Sequence, residues 1–324
     1  MSKCDNLHAI ILASGEDRRL RPLTDVLDGV DLPKQFALIA GTGSLLQQTV
    51  TRYASLVPAK NMVVVVSSAF AGLARTQLRD WPGIEIIERP AECDAGLDLL
   101  LALGGVFSRS PDAHVLVTPA DHYVPFPDDL VESVAAADQA LDKAGVVLIG
   151  VADGQRRGRR AWIVPGRALG GGMFAVAGLV ERASPVQSAE LTASGALWNP
   201  STVVARAEKL WYLAARHLPL QTEAVARHWA GRGSLAEALG KAGLDMPAAD
   251  LSGALLRGAK DLATIAVRGS GWTDWISSEH VVDSIENPRE LEQLLARVLR
   301  RQQAAGRTEL HPPFPAIMRH ATAA

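Results

Sequence analysis

A chain of 324 residues with 48% hydrophobic side chains can bury one large core or two modest ones. Its formal charge of -2 gives no global pull toward nucleic acid or acidic membranes, so neither is expected as a partner. Two cysteines, Cys4 and Cys93, are too few for a disulfide framework, and with no signal-peptide pattern and no apolar run near the roughly 18 residues of a bilayer span, a cytoplasmic location is expected.

From residue 9 onward, strand-like and helix-like segments alternate. Residues 9–13 (AIILA) are short, apolar and β-branched, the pattern of a buried strand. Residues 44–55 read as an amphipathic helix, 62–66 as a strand, 69–79 as a helix and 84–88 as a strand. Helix 94–106, strand 113–118, helix 128–144 and strand 146–151 continue the series. The alternation predicts an α/β fold, a mostly parallel central sheet with helices on both faces, whose ligands bind beyond the carboxyl ends of the strands. Residues 14–19 and 119–122 both fall there. The basic run 153–167 reads either as a solvated surface loop or as a phosphate contact. Residues 201–217 and 222–239 look helical, with Trp211 and Trp229 at core positions. Residues 265–267 lead into Trp272-Thr273-Asp274-Trp275, and 290–301 form a closing helix. One domain is expected over 1–305, with a sheet core in 1–151, later elements in 152–305, and a loosely held tail at 306–324.

A strand that ends in small residues, here Ser14-Gly15, leaves backbone N–H groups free to face an anion. Arg19 and Lys34 are the cations expected on a polyphosphate, since Arg grips phosphate oxygens in bidentate fashion and Lys acts as a mobile point charge. Asp121 follows the apolar strand VLVTPA, where a lone acid is costly unless it meets a cation or hydrogen-bond donors.

The set Leu12, Ala13, Gly15, Arg19, Leu20, Pro22, Leu23, Thr24, Pro33 and Lys34 resembles the sugar-phosphate nucleotidyltransferase signature, L-A-G-G-x-G-x-R-L-x-P-L-T followed by P-K. Gln35-Phe36, the SLLQQT of 44–49 and the block Pro119, Asp121, His122 are similar to the mannose-1-phosphate guanylyltransferase group. The resemblance implies a Rossmann-like nucleotide-diphospho-sugar transferase fold. It also implies a reaction that joins a sugar-1-phosphate, mannose-1-phosphate being expected, to a nucleoside triphosphate, GTP being expected, with release of pyrophosphate. Arg19 and Lys34 would then be the catalytic cations. Leu12, Ala13, Ser14, Gly15, Asp17, Arg18 and Asp121 would contact the nucleotide. Trp162, Glu181, Arg182 and Asn199 would contact the sugar phosphate, although Asn199 reads equally well as a turn residue. Asp121 and Asp274 would hold Mg2+. In such a reaction the sugar phosphate is already an anionic nucleophile, so fixed cations and a hard divalent ion matter more than a general base. His122 is accordingly expected to support Asp121 from behind or to pack, rather than to act as a general base. A homodimer is left open.

The chain departs from the pattern at Ser14, Asp17 and Ile276, where the family has glycine, and at Cys93 and Ala95, where it has arginine and threonine. Asp17 sets a negative charge near the triphosphate. At an effective dielectric near 20, two unit charges ~4 Å apart repel by about 4 kcal/mol. Arg18 is expected to compensate, by pairing with Asp17 or by reaching the phosphates. Residues 25–31 are expected to form an extra loop between Arg19 and Lys34. Two readings follow: an active enzyme that makes a nucleotide sugar, and a non-catalytic relative that binds a nucleotide or nucleotide sugar as a sensor or partner subunit.

Overall fold

Period-two alternation in the first strands sends neighbouring side chains into two different layers. In β1 (Leu7–Leu12) Ala9 and Ile11 face one helical layer and Ile10 the other; in β2 (Met62–Ser67) Val64 and Val66 face the first, Val63 and Val65 the second. Strands buried on both faces in this way lose the alternation of polarity and read as continuous apolar runs. The computed structural model describes residues 6–15, 17–28, 31–89, 97–152, 161–234, 237, 255–256, 259 and 261–304. The expectations for Cys93, Ala95, the basic run 153–160 and the tail 306–324 fall outside these residues.

After β1 come α1 (Arg21–Asp28), α2 (Leu45–Tyr53), β2, α3 (Ala71–Gln77), β3 (Glu85–Arg89), α4 (Asp98–Arg109), β4 (His114–Pro119), α5 (Asp128–Gln139) and β5 (Val146–Val151). The second half supplies β6 (Trp162–Gly170), β7 (Met173–Val180), α6 (Pro185–Ala193), β8 (Leu197–Arg206), α7 (Ala207–His217), α8 (Pro219–Trp229), β9 (Leu262–Val267), α9 (Ser278–Ser284) and α10 (Pro288–Ala304). The strands form a nine-stranded sheet in the order β3-β2-β1-β4-β8-β5-β9-β7-β6. Pairs β3–β2, β2–β1, β1–β4 and β5–β9 are parallel, while β8 runs antiparallel to both β4 and β5. The α/β layering expected from the alternation is present.

Helices α2, α3 and α5 cover one face through Leu46, Val50, Ala74, Leu130 and Val134. Helices α4, α7 and α8 cover the other through Leu100, Leu103, Leu210, Leu213 and Val225. Helix α2 starts where Ser44 and Gln47 form a capping box, each side chain bonding the other's backbone N–H. A third cluster joins the two ends of the chain: Leu20, Leu23 and Leu27 pack with Trp275, Val281, Leu294 and Val298.

Two expected elements differ. The segment 201–206 is strand, because β8 continues to Arg206 before α7 begins. Its Thr202-Val203-Val204-Ala205 run is buried between β4 and β5, an environment that suits β-branched residues. The segment expected as a loop over 25–31 is helical as far as Asp28, since Leu23 and Leu27, one turn apart, find an apolar partner in α10. Trp211 and Trp229 pack: Trp211 stacks on Phe107 at 5.4 Å, and Trp229 Nε1 donates to the Leu101 carbonyl at 2.9 Å.

Gly150 shows how tightly β5 and β8 meet. A Cβ there would lie 2.6 Å from Leu197 Cδ1 and 2.7 Å from Leu197 Cβ, and the latter atom cannot swing away. Gly150→Val is expected to lower unfolding stability by roughly 1–3 kcal/mol in urea titration, whereas a neutral effect would mean that β8 is displaced from this position.

Candidate active site

The carboxyl ends of β1 and β4 are in register, Leu12 opposite Pro119, so the loops that follow them leave the sheet side by side. The loop after β1 is held from inside. Gln35 Nε2 donates to the carbonyls of Ala13 (2.8 Å) and Gly15 (2.6 Å), and Ala13 N–H donates to Val65 (2.8 Å). Ser14 is 4% exposed, and its hydroxyl donates to the Asp98 carboxylate at the start of α4. Asp98 also pairs with Arg89 at 3.1 Å, both of them buried. Sequence reasoning misses this Ser14–Asp98–Arg89 cluster; the available signal is an acid inside the leucine run Leu97-Asp98-Leu99-Leu100.

Lys34 is the centre of the site. Its side chain is 1% exposed, and Nζ lies 3.1 Å from Asp121 Oδ2 and 3.7 Å from Asp17 Oδ2. It also donates to the backbone carbonyl of Asp274. One buried ammonium therefore gathers the loops after β1, β4 and β9. Asp121 and Asp274 are brought together by an antiparallel bridge in which Tyr123 and Thr273 exchange two backbone hydrogen bonds of 3.0 Å. Trp275 locks that bridge: it is fully buried, stacks on Tyr123 at 4.5 Å, and its Nε1 donates to Ser284 Oγ at 2.7 Å. His122 is buried, meets the Trp272 ring edge-on at 5.1 Å, and its Nε2 is 3.6 Å from Asp121 Oδ1, a packing position as expected.

Asp17 is paired, but with Arg19 rather than with Arg18. Arg19 Nε lies 2.9 and 3.0 Å from the two carboxylate oxygens, and its backbone N–H donates to Oδ1 at 3.0 Å. A backbone bond two residues on closes a tight ring that Arg18, exposed on the surface, does not join. Burial pushes the Asp17 carboxyl up, yet hydrogen bonds from Arg19 and the charges of Lys34 and Arg19 outweigh it and hold the group below its ordinary range. Hydrogen bonding to Asp17 raises Arg19 against the opposing effect of burial, and Asp274 and Asp121 add attraction from nearby.

The positions expected on the sugar side follow the same rim. Val180, Trp162, Trp198 and Val151 form one row across the sheet, which sets Glu181, Arg182 and Asn199 at its carboxyl edge. Trp162 is 1% exposed and stacks on Trp198 at 4.2 Å, which makes it part of the core and leaves it no surface for a ligand. Within β8, Asn199 Oδ1 accepts the Ser201 N–H at 2.9 Å. The described non-glycine residues with positive φ are Arg182 (54°), Ser201 (56°) and Trp275 (41°), and each lies within two residues of an expected ligand contact. Strained backbone of this kind persists where the surroundings enforce it, and it clusters at functional sites.

A family model described as "Nucleotidyl transferase" matches residues 8–245. The chain belongs to the nucleotidyl transferase family. It is 28% identical over 216 residues to a mannose-1-phosphate guanylyltransferase of Klebsiella pneumoniae, covering 65% of this chain and 45% of that protein. A mannose-1-phosphate guanylyltransferase of Sinorhizobium fredii is 28% identical over 233 residues, 70% of this chain and 44% of its own. The chain thus spans less than half the length of these curated relatives. The crystal structure of a mannose-1-phosphate geranyltransferase from Thermus thermophilus matches with a TM-score of 0.75 at 25% identity, covering 87% of this chain and 80% of that one. A mannose-6-phosphate isomerase from Helicobacter pylori, at 17% identity and a TM-score of 0.63, shares the fold; the match covers 83% of this chain and 99% of that one.

The Asp17 pairing has a signed pH consequence. A carboxyl held below its ordinary value of 3.8 adds stability that is complete above that value and is lost as pH falls through the folded-state pKa. The stability difference between wild type and Asp17→Asn, from urea titrations, is expected to stay level near neutrality and to shrink below about pH 4. A difference that holds level down to about pH 2 would show that the pair contributes nothing.

Proposed function

We propose that this member of the nucleotidyl transferase family joins a sugar-1-phosphate to a nucleoside triphosphate, with release of pyrophosphate. Mannose-1-phosphate and GTP are the substrates most consistent with the guanylyltransferase relatives. The observation that carries this reading is the convergence on Lys34 of Asp17, Asp121 and the Asp274 carbonyl from three separate loops at one sheet edge. Such an arrangement positions cations and carboxylates around a polyphosphate without supplying a strong base, as transfer from an already ionised phosphate requires.

Lys34 and Arg19 would bind phosphoryl oxygens, Lys34 on the incoming sugar phosphate and Arg19 on the leaving pyrophosphate. Backbone amides at the end of β1 would receive the remaining charge. Asp121 and Asp274 fit Mg2+ by donor chemistry: two hard carboxylates, with phosphate oxygens and water completing the shell, is the usual Mg2+ site. Among the described residues no group of three or more His, Cys, Asp or Glu is placed to hold a metal. When bound, Mg2+ would neutralise phosphate charge and polarise the α-phosphoryl group. Glu181, Arg182 and Asn199 remain the candidates for the sugar phosphate.

A second reading, binding of a nucleotide sugar without turnover, is favoured by one observation. The Asp17 carboxylate already occupies both Arg19 and Lys34, as a substrate phosphate would. The two readings differ in what Asp17→Gly does. In an enzyme it removes an internal competitor, and kcat/KM should rise by roughly tenfold or more. In a retired enzyme it creates no turnover.

The direct test is pyrophosphate release from GTP and mannose-1-phosphate with Mg2+. Lys34→Ala and Asp121→Ala are each expected to reduce the rate at least about a hundredfold while the far-UV spectrum is kept. No release with any common triphosphate and sugar phosphate, together with measurable nucleotide-sugar binding, would replace the first reading by the second.

A further inference from the structure

A cleft of about 660 Å3 opens between α2, the loop after β4 and the start of α5, and it shares no lining residue with the Lys34 cluster. Arg52 lines it. This residue is 8% exposed, and its guanidinium lies 5.8 Å from the centroid of the neighbouring Tyr53 ring. No carboxylate is paired with it among the described residues. A guanidinium with little access to water and no acid beside it carries an uncompensated charge, so it is a strong receptor for an anion. The acids of the cleft lie elsewhere. Asp128 and Glu132 are exposed, where water and salt screen them, and Glu290 is engaged by the Tyr123 hydroxyl at 3.3 Å.

We propose that this cleft is a second ligand site, for a small phosphorylated polyol of the sugar-phosphate class. The phosphate would reach the deep Arg52 guanidinium, and the hydroxyls would donate to the carboxylates at the mouth. The volume lies in the range of small-molecule sites and is far larger than a bare phosphate needs. A deep cation beneath a rim of acceptors matches a ligand with an anion at one end and hydroxyls at the other. The cleft wall includes Tyr123, Val124 and Pro125, which follow directly on the residues that carry Asp121 to Lys34.

The probe is a hexose 6-phosphate, whose phosphate is not on the anomeric carbon, titrated by calorimetry into the full chain. Four proteins are compared: wild type, Lys34→Ala, Arg52→Gln and Ser55→Trp. Ser55 is an exposed lining residue, so its tryptophan fills the cleft from the rim and leaves the core intact even where the Arg52 variant fails to fold. Saturable binding is expected in wild type and in Lys34→Ala, at least about tenfold weaker in Arg52→Gln and Ser55→Trp, and at least about tenfold weaker for inorganic phosphate than for the sugar phosphate. The proposal is overturned by no binding up to about 10 mM, by equal binding in Ser55→Trp, by loss of binding in Lys34→Ala, or by inorganic phosphate binding equally well. The Lys34→Ala arm separates this site from the proposed active site, so either can fail without the other.

Discussion

A lysine ammonium with almost no access to water must be met by oxygen atoms, and Lys34 meets its requirement from three directions. That single constraint explains why loops far apart in the chain close on one another. Asp17 follows β1, Asp121 follows β4 and Asp274 follows β9, and each is anchored by a different device. Gln35 grips the first loop by its carbonyls, the Tyr123–Thr273 bridge ties the second to the third, and the buried Trp275 fixes that bridge against α9. Breaking a buried pair of this sort costs more than forming it gains, because the remaining charge is left in a poor solvent.

The same charges that stabilise the resting site stand in the way of a polyphosphate. Arg19 and Lys34 are satisfied by Asp17 and Asp121, so an incoming phosphate must exchange with carboxylates rather than fill an empty cradle. In the proposed reaction the exchange is feasible because Asp17 and Arg19 are partly exposed, where ion pairs are worth little, and because Asp121 would turn to the proposed Mg2+. Ser14, by contrast, has withdrawn from the site. Its hydroxyl donates to the buried Asp98, which pairs with Arg89, at the position where the resembled signature has glycine.

Much of this is legible in the residues. The β-branched runs of β1, β2, β4 and β5, separated by amphipathic helices, announce a parallel sheet, and Arg19, Lys34, Asp121 and Asp274 stand at the ends its strands present. Other features are hidden for identifiable reasons. Strand β8 reads as helix over 201–206 because a strand buried on both faces shows no period-two pattern. Helix α1 reads as a loop until its partner α10, more than 250 residues later, supplies a surface for Leu23 and Leu27. The choice of Arg19 over Arg18 rests on a loop that brings both its backbone N–H and its guanidinium to Asp17, and no composition or spacing reports that. Trp162 shares a motif position with sugar contacts, yet its depth is set by Trp198, a pairing that only the β6–β8 register reveals.

The most direct measurement is a crystal structure with Mg2+ and pyrophosphate bound. Phosphate oxygens are expected within hydrogen-bond reach of Lys34 Nζ and the Arg19 guanidinium, with a metal between Asp121 and Asp274 and the Asp17 carboxylate moved off both cations. Pyrophosphate bound elsewhere, with the Arg19–Asp17 pair intact, would contradict the proposed reaction.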